Sequence, residues 1–551
     1  MMSKSKQSSI PIVQQGTAPV RLEPLVLSTE PYVPADAPTL DLKTGDLAGR
    51  NELRTSSYTI YVDLPGHPDE MLLVHGYTGA YDRVSKQVAT YLRSLETDHT
   101  PQPLYGSWVS EPAANGEVAR PSDEAMAILE KRGYLVPLTL EEEEALFVKV
   151  ATLHHHAAIR RAPSYVLMPT YRCNLRCAYC FQDHMRTDPH YGHLLQVMDR
   201  PMADRILRGM DAIDTAHGNP ANGQGERSIL FFGGEPLLAE TRPIVEYLIE
   251  RTRADHKARF SAVTNGTELD AYRDLLGREL ISELQITLDG PPAEHDRRRV
   301  YPDGSGSFAR IAENITLALD REVRVNVRMN IDRRNIVKLP FLADEFIARG
   351  WADRPNFTAS VAPVQDCDGQ LEPGTTFNSW QLNRMLDEMQ QQFPRMERIS
   401  LFNDQLQQQA SQIFQGNSNT IPSFQAAFCG AHSDMYIIDA FADIYACWER
   451  TGDPEIRIGH ITEGGEVLMN NGLLRHWRAR NVVSNPVCRK CRYATSCGGG
   501  CAMRAEDASG DIYTNHCDGF AKRFRASVAA AFLAHLRGER RESYSNRLCD
   551  A

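Results

Sequence analysis

The sequence predicts an α/β protein built around a partial (β/α)6 barrel, with a small domain of strands and helices before it and a cysteine-rich domain after it. Three observations predict this. From Ser164 onward, short apolar runs alternate with amphipathic segments, the pattern of right-handed parallel βαβ units. The residues suited to chemistry fall just after those apolar runs, at the strand C-termini where barrel enzymes carry their sites. The cysteines, 12 in 551 residues, sit mostly in two dense groups with metal-type spacings.

A chain of 551 residues is too long for one ordinary domain. Its spacing of signals divides it into an N-terminal segment (1–56), a first domain (57–155), the barrel (160–375), a helical bridge (376–425), the cysteine-rich domain (426–520) and a C-terminal helix and tail (521–551). A net charge of −11 argues against a general nucleic-acid binder. No apolar run approaches the roughly 18 residues needed to span a bilayer, and the N-terminus has no h-region of a secretory signal. Clustered cysteines outside a secretory context point to the cytosol and to metal clusters.

Residues 1 to about 50, rich in Ser, Pro, Gln and Thr, read as mostly disordered or loosely draped. Tyr58–Val62 and Met71–Val74 read as two strands of a hairpin through Pro65-Gly66. Ser85 caps a helix with apolar face Val88, Tyr91, Leu92 and Leu95. Ser122 caps a second with Met126 and Leu129 inside, stopped by Gly133. Tyr134-Leu135-Val136 reads as a short strand. Thr139 and Glu142 form a capping box for a third helix carrying Leu146, Phe147 and Val150. His154-His155-His156 reads as a solvated helix end. The hairpin edge at Tyr58–Val62 offers unpaired backbone groups that an extended peptide could complete.

In the barrel the strands read as Ser164–Met168, Ser228–Phe232, Phe260–Val263, Leu284–Leu288, Val323–Val327 and Phe357–Val361. After the first comes Cys173-Asn174-Leu175-Arg176-Cys177-Ala178-Tyr179-Cys180-Phe181, three thiols in eight residues. A loop can curl three sulfurs around one centre, as a strand cannot. Three thiolates leave a [4Fe–4S] cluster one iron short of full ligation, and that iron can chelate a small molecule's amino and carboxylate groups. The alternative is structural zinc or reduced core thiols, but zinc favours paired Cys-x2-Cys units and four ligands. Gly233-Gly234-Glu235-Pro236 follows the second strand, Thr264-Asn265-Gly266-Thr267 the third, and Asp289-Gly290-Pro291 the fourth.

The cysteine spacing and the order of these motifs resemble the radical SAM superfamily. By that resemblance Cys173, Cys177 and Cys180 hold the catalytic [4Fe–4S] cluster and S-adenosylmethionine (SAM) fills the open iron. Gly233 and Gly234 would admit the SAM amine where a Cβ would obstruct it. Glu235 would accept a hydrogen bond there or serve structure. Asn265 and Thr287 would face the nucleoside and Phe181 the adenine. Arg299 would meet the SAM carboxylate, while two of Arg297, Arg298 and Arg299 are expected at the solvated surface.

The second group comprises Cys429, Cys447, Cys488-x2-Cys491-x5-Cys497-x3-Cys501 and Cys517. It resembles the SPASM extension of peptide- and protein-modifying radical SAM enzymes, with zinc ribbons as the alternative. The resemblance implies two auxiliary [4Fe–4S] clusters, three in all. Cys488, Cys491, Cys497 and Cys517 would hold one. Cys429, Cys447 and Cys501 would hold the other, with Cys367 or an open iron in fourth place. Two departures stand out: Ala442 where the family has glycine, and Trp448 where the sulfatase-maturing branch has a catalytic aspartate. Cys549 reads as a free thiol in a polar tail.

The order of elements in 57–155 resembles the winged-helix (RRE-like) domain with which peptide-modifying enzymes hold a leader peptide; an ordinary accessory domain fits equally. Together these imply a cytoplasmic radical SAM oxidoreductase that forms a thioether or carbon–carbon crosslink in a ribosomally made precursor peptide, and that is served by a flavodoxin- or ferredoxin-type donor. The other readings are a sulfatase-type protein-maturing oxidase, a small-molecule radical SAM enzyme and a non-enzymatic electron carrier. A peptide enzyme is expected to keep SAM cleavage but lose peptide modification when residues 1–150 are deleted, and to bind peptide more weakly after Ile60→Pro.

Overall fold

The structure, a computed structural model, describes residues 22–41, 47, 50, 52–96, 118–218, 226–365, 371–372, 374–399, 401–402, 406, 410, 414 and 424–538. Residues 1–21, Cys367 and Cys549 lie outside them, so the expectations for those positions are not addressed.

The N-terminal domain begins with three antiparallel strands, β1 (Thr59–Asp63), β2 (Glu70–His75) and β3 (Tyr81–Ser85), in that order across the sheet. The hairpin is where the sequence places it; the third strand is additional. Ser85 caps α1 (Lys86–Ser94) by accepting from the Val88 amide, and Ser122 caps α2 (Asp123–Lys131) in the same way. Leu135–Val136 pairs with Arg54–Thr55. The capping box of Thr139 and Glu142 starts α3 (Leu140–Ile159). Its buried Glu143 accepts from the Ser57 amide at 3.0 Å and from Arg54 Nη2 at 2.8 Å, fixing where the chain enters the domain.

One expectation for this region is corrected and two are qualified. His155 does not end α3 in solvent: it is buried, with Nε2 2.6 Å from the Arg478 carbonyl oxygen. Residues 22–41 are not wholly loose, because Glu23–Pro24 joins the main sheet and Asp36 pairs with Arg489 at 2.5 Å. The β1 edge has no partner strand among the described residues, but it is not wholly free. Ile60 and Val62 pack under Phe524, Val528 and Phe532, and the Thr59 carbonyl accepts from Arg492. Among the described residues no strand pairs with the outer edge of β3.

The barrel follows the predicted order. β4 (Ser164–Leu167), β5 (Glu226–Phe231), β6 (Lys257–Thr264), β7 (Ile281–Thr287), β8 (Arg324–Ile331) and β9 (Phe357–Pro363) are parallel neighbours in chain order. α4 (Arg200–Ala216), α5 (Arg242–Asp255), α6 (Phe308–Asp320) and α7 (Leu339–Ala348) lie between them in the chain and turn buried apolar faces to the shared core. α8 (Ser379–Gln392) opens the bridge with its own capping box at Asn378 and Gln381.

The sequence did not announce that the cysteine-rich domain continues the barrel sheet. β10 (Met435–Ile438) pairs parallel with β4 on its free side. β11 (Asp443–Tyr445), β12 (Gly459–Ile461) and β13 (Val467–Met469) then extend it antiparallel. Its helices are α9 (Asn471–Ala479), α10 (Ala502–Ser509) and α11 (Phe520–Leu536). The N-terminal domain docks here: Tyr58, Phe147, Val148 and Ala151 form one apolar cluster with Val482, Val483, Cys488 and Ala494. Gly76 lies so close that a Cβ would overlap the Arg492 carbonyl oxygen. Among the described residues no helix is long and apolar enough to cross a membrane.

Candidate active site

Cys173, Cys177 and Cys180 stand on the loop that leaves β4, each half-buried and outside any disulfide. The loop is tied on every side. Thr170 donates to the Gln196 carbonyl at 2.8 Å. Asn174 Nδ2 donates to Thr267 Oγ1 and to Glu268 Oε1, both at 2.9 Å. Asn265 Nδ2 donates to Asn174 Oδ1 at 2.8 Å and points at Cys173 Sγ, 3.8 Å away. Arg176-Cys177 pairs in two-residue ladder with Arg299-Val300. Arg186 Nη2 donates to Cys180 Sγ at 3.1 Å.

Burial pushes the Cys177 thiol up to about 12, with Arg299 pulling it down and Cys173 and Cys180 raising it further. Cys173 is raised by burial, and Cys180 is among the groups that add to the shift. Burial thus holds Cys173 and Cys177 in the neutral form unless positive charge, as metal supplies, is added. Among the described residues no three His, Cys, Asp or Glu side chains converge on a point fit for one metal ion. Three thiols on one loop are one ligand short of a structural zinc site and suit a multinuclear cluster with one iron open. Arg186 adds to this fit: its guanidinium is buried, and Nε and Nη1 have no hydrogen-bond partner.

Gly233 and Gly234 lie against this loop. The Gly234 amide donates to the Thr170 carbonyl at 3.1 Å and the Glu235 amide to the Arg172 carbonyl at 2.7 Å. A Cβ on Gly233 would overlap the Thr170 carbonyl oxygen, and one on Gly234 those of Tyr171 and Arg172. The glycines are thus required by the cysteine loop itself, apart from any ligand. Gly234→Ala is expected to destabilise the protein by roughly 2 kcal/mol, the usual scale of overpacking, and to lower its iron content. An unchanged unfolding midpoint would count against this packing argument.

Glu235 serves structure. Its carboxylate accepts from the Leu237 amide at 2.9 Å and from Thr264 Oγ1 and the Asn265 amide at 2.6 Å, and burial raises its pKa to about 7. Asn265 Oδ1 accepts from the Thr267 amide at 2.9 Å. Thr287 is buried at the end of β7 and Phe181 is half-buried at the end of the cysteine loop.

Arg299 lies beneath the loop, buried, with Nη1 donating to the Tyr179 hydroxyl at 2.8 Å. Tyr179 donates in turn to Asp289, and Asn330 Nδ2 donates to Tyr179 at 3.1 Å. Arg298 is buried too and pairs with Asp332 at 2.8 Å. Only Arg297 is exposed, so the expectation that two of these three arginines are solvated is corrected. Sequence reasoning missed Tyr179 and Asp289 as a pair, although each stood in a motif already singled out.

The seven later cysteines separate into two sets. Cys447 feels Cys429 and Cys501, whereas Cys488 feels Cys491, Cys497 and Cys517. The first set joins the turn before β10, the end of β11 and the start of α10. The second lies at short helices Pro486–Arg489 and Ala494–Cys497 and just before α11. Gly498, Gly499 and Gly500, all with φ between 69° and 86°, carry the chain from one set to the other. Arg480 pins the two: Nη2 donates to the Gly499 carbonyl at 3.4 Å and the Thr514 carbonyl at 3.3 Å, and Nη1 reaches His432 at 3.5 Å.

Ala442 takes the conformation glycine would, with φ 62°, a cost of about 1–2 kcal/mol for a residue with a Cβ. The turn holds because Asp439 accepts from the amides of Phe441 and Asp443 at 2.9 and 3.0 Å and from Tyr171 Oη at 2.9 Å. Cys447 keeps its place. Trp448 stacks on Phe232 at 5.5 Å, and Glu449 is held by Arg504 at 2.8 Å.

The Radical SAM superfamily profile matches residues 167–335. The chain is 27% identical over 354 residues to the mycofactocin maturase MftC of Mycobacterium ulcerans, covering 60% of this chain and 80% of that protein. It is 23% identical over 373 residues to a cysteine-type anaerobic sulfatase-maturating enzyme of Clostridium novyi, covering 65% of this chain and 92% of that one. In fold it is similar to anSMEcpe with bound AdoMet, with TM-score 0.50 and 18% identity over 69% of this chain and 96% of that chain. Residues 167–335 form a radical SAM domain, and the chain that carries them is a radical SAM enzyme.

Proposed function

We propose that this enzyme is a cytoplasmic peptide maturase that closes a thioether or carbon–carbon crosslink in a ribosomally made precursor peptide. The observation that carries the reading is the company kept by the three-thiol loop: two further thiol sets in the domain that continues its sheet, and an N-terminal domain with a strand edge that no described strand pairs. The relatives named for maturation of mycofactocin and of sulfatases support a peptide or protein substrate.

Cys173, Cys177 and Cys180 would hold the catalytic [4Fe–4S] cluster. Bound there and reduced, it would supply one electron for the cleavage of SAM to methionine and a 5′-deoxyadenosyl radical, the species that would take a substrate hydrogen atom. Gly233 and Gly234 would leave room at the SAM amine, with Asn265, Thr287 and Phe181 around the nucleoside. Arg299, whose Nε is buried without a partner, is the candidate for the SAM carboxylate. The substrate loses that hydrogen atom, then one electron and one proton as the new bond closes. Cys488, Cys491, Cys497 and Cys517, and Cys429, Cys447 and Cys501, would hold the two clusters that receive the electron. A low-potential donor of the flavodoxin or ferredoxin class would supply the first electron.

The sulfatase-type rival has a relative in its favour. Against it, the position after Cys447 carries Trp448, a stacked ring with no carboxylate, and the next, Glu449, is paired with Arg504. The deciding experiment incubates reduced enzyme and SAM with the short peptide encoded beside the gene. A product lighter by two hydrogen atoms is expected; formylglycine in a sulfatase peptide and no change in the precursor would overturn the proposal.

A further inference from the structure

Arg186 belongs to the short helix His184–Thr187 that follows the cysteine loop. Its side chain is 3% exposed. Five N–H donors in a fixed fork need acceptors when buried. One nitrogen, Nη2, reaches Cys180 Sγ at 3.1 Å and only grazes the half-exposed Asp183 carboxylate at 3.4 Å. The other two, Nε and Nη1, meet no acceptor. The other guanidiniums near the loop keep fewer unmet donors: Arg299 on Tyr179 and Arg298 on Asp332 each leave Nε as their one buried unmet nitrogen, and Arg176 reaches the carbonyls of Cys173 and Leu175. A buried cation with unmet donors beside three sulfurs marks the place of an anionic acceptor larger than those sulfurs.

We propose that Arg186 is the positioning residue that gives charge-assisted hydrogen bonds to the Cys180 sulfur and to the iron–sulfur core beside it, and so raises the core's reduction potential. The proposal rests on the reading that Cys173, Cys177 and Cys180 hold a [4Fe–4S] cluster. One electron from a low-potential donor of the ferredoxin or flavodoxin class takes the core from 2+ to 1+. Three thiolates already make the assembly anionic, so the added electron deepens the negative charge. A buried guanidinium and its N–H···S bonds stabilise the reduced form more than the oxidised one.

The test uses full-length protein reconstituted without oxygen, as wild type, Arg186→Met and Arg186→Lys. Methionine fills similar space without charge or donors; lysine keeps the charge without the fork. Each protein is titrated potentiometrically while the electron paramagnetic resonance signal that changes on adding SAM is followed. That signal separates the catalytic cluster from the auxiliary ones. The expected result is unchanged iron content, a midpoint displaced to lower potential in Arg186→Met, and a smaller displacement in Arg186→Lys. Full iron with a wild-type midpoint in Arg186→Met overturns the proposal. Should Arg186→Met lose iron, Arg186→Lys decides: a wild-type midpoint overturns the proposal and a lowered one supports it. A wild-type protein with iron but no SAM-sensitive signal overturns the cluster reading itself, a failure distinct from an unmoved midpoint.

Discussion

Cys177→Ala protein, reconstituted without oxygen, is expected to release no 5′-deoxyadenosine above background while keeping the iron of its other thiol sets. Three thiolates are the fewest that hold a four-iron core with one iron free for SAM, and alanine supplies no ligand. The fold should tolerate the change. Cys177 meets its ladder partner Arg299 through backbone atoms, and the loop is fixed by Asn174, Thr170 and Asn265 independently of the thiol. The auxiliary sets lie on other elements, from the turn before β10 to the start of α11. Wild-type protein should carry about twelve irons from three four-iron clusters, and the triple variant at Cys173, Cys177 and Cys180 should lose about a third of them. Undiminished 5′-deoxyadenosine from Cys177→Ala would remove the catalytic role of this loop. Stoichiometric zinc in anaerobically produced protein would remove the two-cluster reading of Cys429–Cys517.

The parts of this molecule legible in the sequence are those fixed by local chemistry. Ser85, Ser122 and the pair Thr139–Glu142 mark helix starts because a side-chain oxygen satisfies an otherwise orphaned amide. The barrel strands show as short apolar or alternating runs because at least one face of each is buried. What was not legible depends on long-range partners. Met435–Ile438 is buried at every residue and too short to reveal whether it joins the barrel sheet or a separate one. Arg298 and Arg299 look like surface charges in the chain; Asp332 and Tyr179, distant in sequence, together with Asp289, are what let them be buried. Arg186 gave no signal for the same reason. Gly233 and Gly234 have no room for a Cβ because of the carbonyls of the loop after β4, a long-range neighbour that the motif alone does not name.

The N-terminal domain shows how a correct element assignment can still lead to the wrong experiment. Deleting residues 1–150 would strip Tyr58, Phe147 and Val148 from the apolar cluster they share with Cys488, and Ile60 and Val62 from beneath α11. A loss of activity would then report exposed core as readily as lost peptide binding. Ile60→Pro has the same fault. The bond from the Gly76 amide to the Tyr58 carbonyl makes Tyr58 and Gly76 a hydrogen-bonded pair, and two residues on, so are Ile60 and Val74. Proline at 60 would break the sheet from within.

The opposite edge gives a clean test. Lys86 N–H donates to the Asp69 carbonyl, so the hydrogen-bonded pairs between β2 and β3 include Met71 with Val84 and Leu73 with Asp82. Arg83 lies between them, and its N–H and C=O face away from β2. No described strand takes them up. Such an edge can bind an extended peptide as a fourth strand through main-chain bonds. Arg83→Pro removes the outward donor and leaves the native ladder intact, a placement proline accepts on an edge strand. One lost main-chain bond, at about 1–1.5 kcal/mol, weakens peptide binding roughly tenfold, and the ring in the path of the added strand weakens it further. Arg83→Ala is the control: it loses the exposed pair with Glu70, an interaction of small worth. With peptide limiting, Arg83→Pro should yield at least about tenfold less modified product while Arg83→Ala stays near wild type. Peptide-independent 5′-deoxyadenosine and the unfolding midpoint should not move in either. Modification by Arg83→Pro at the wild-type rate would exclude this edge as the leader site, and with it the strongest physical reason to prefer a peptide over a small molecule as the substrate.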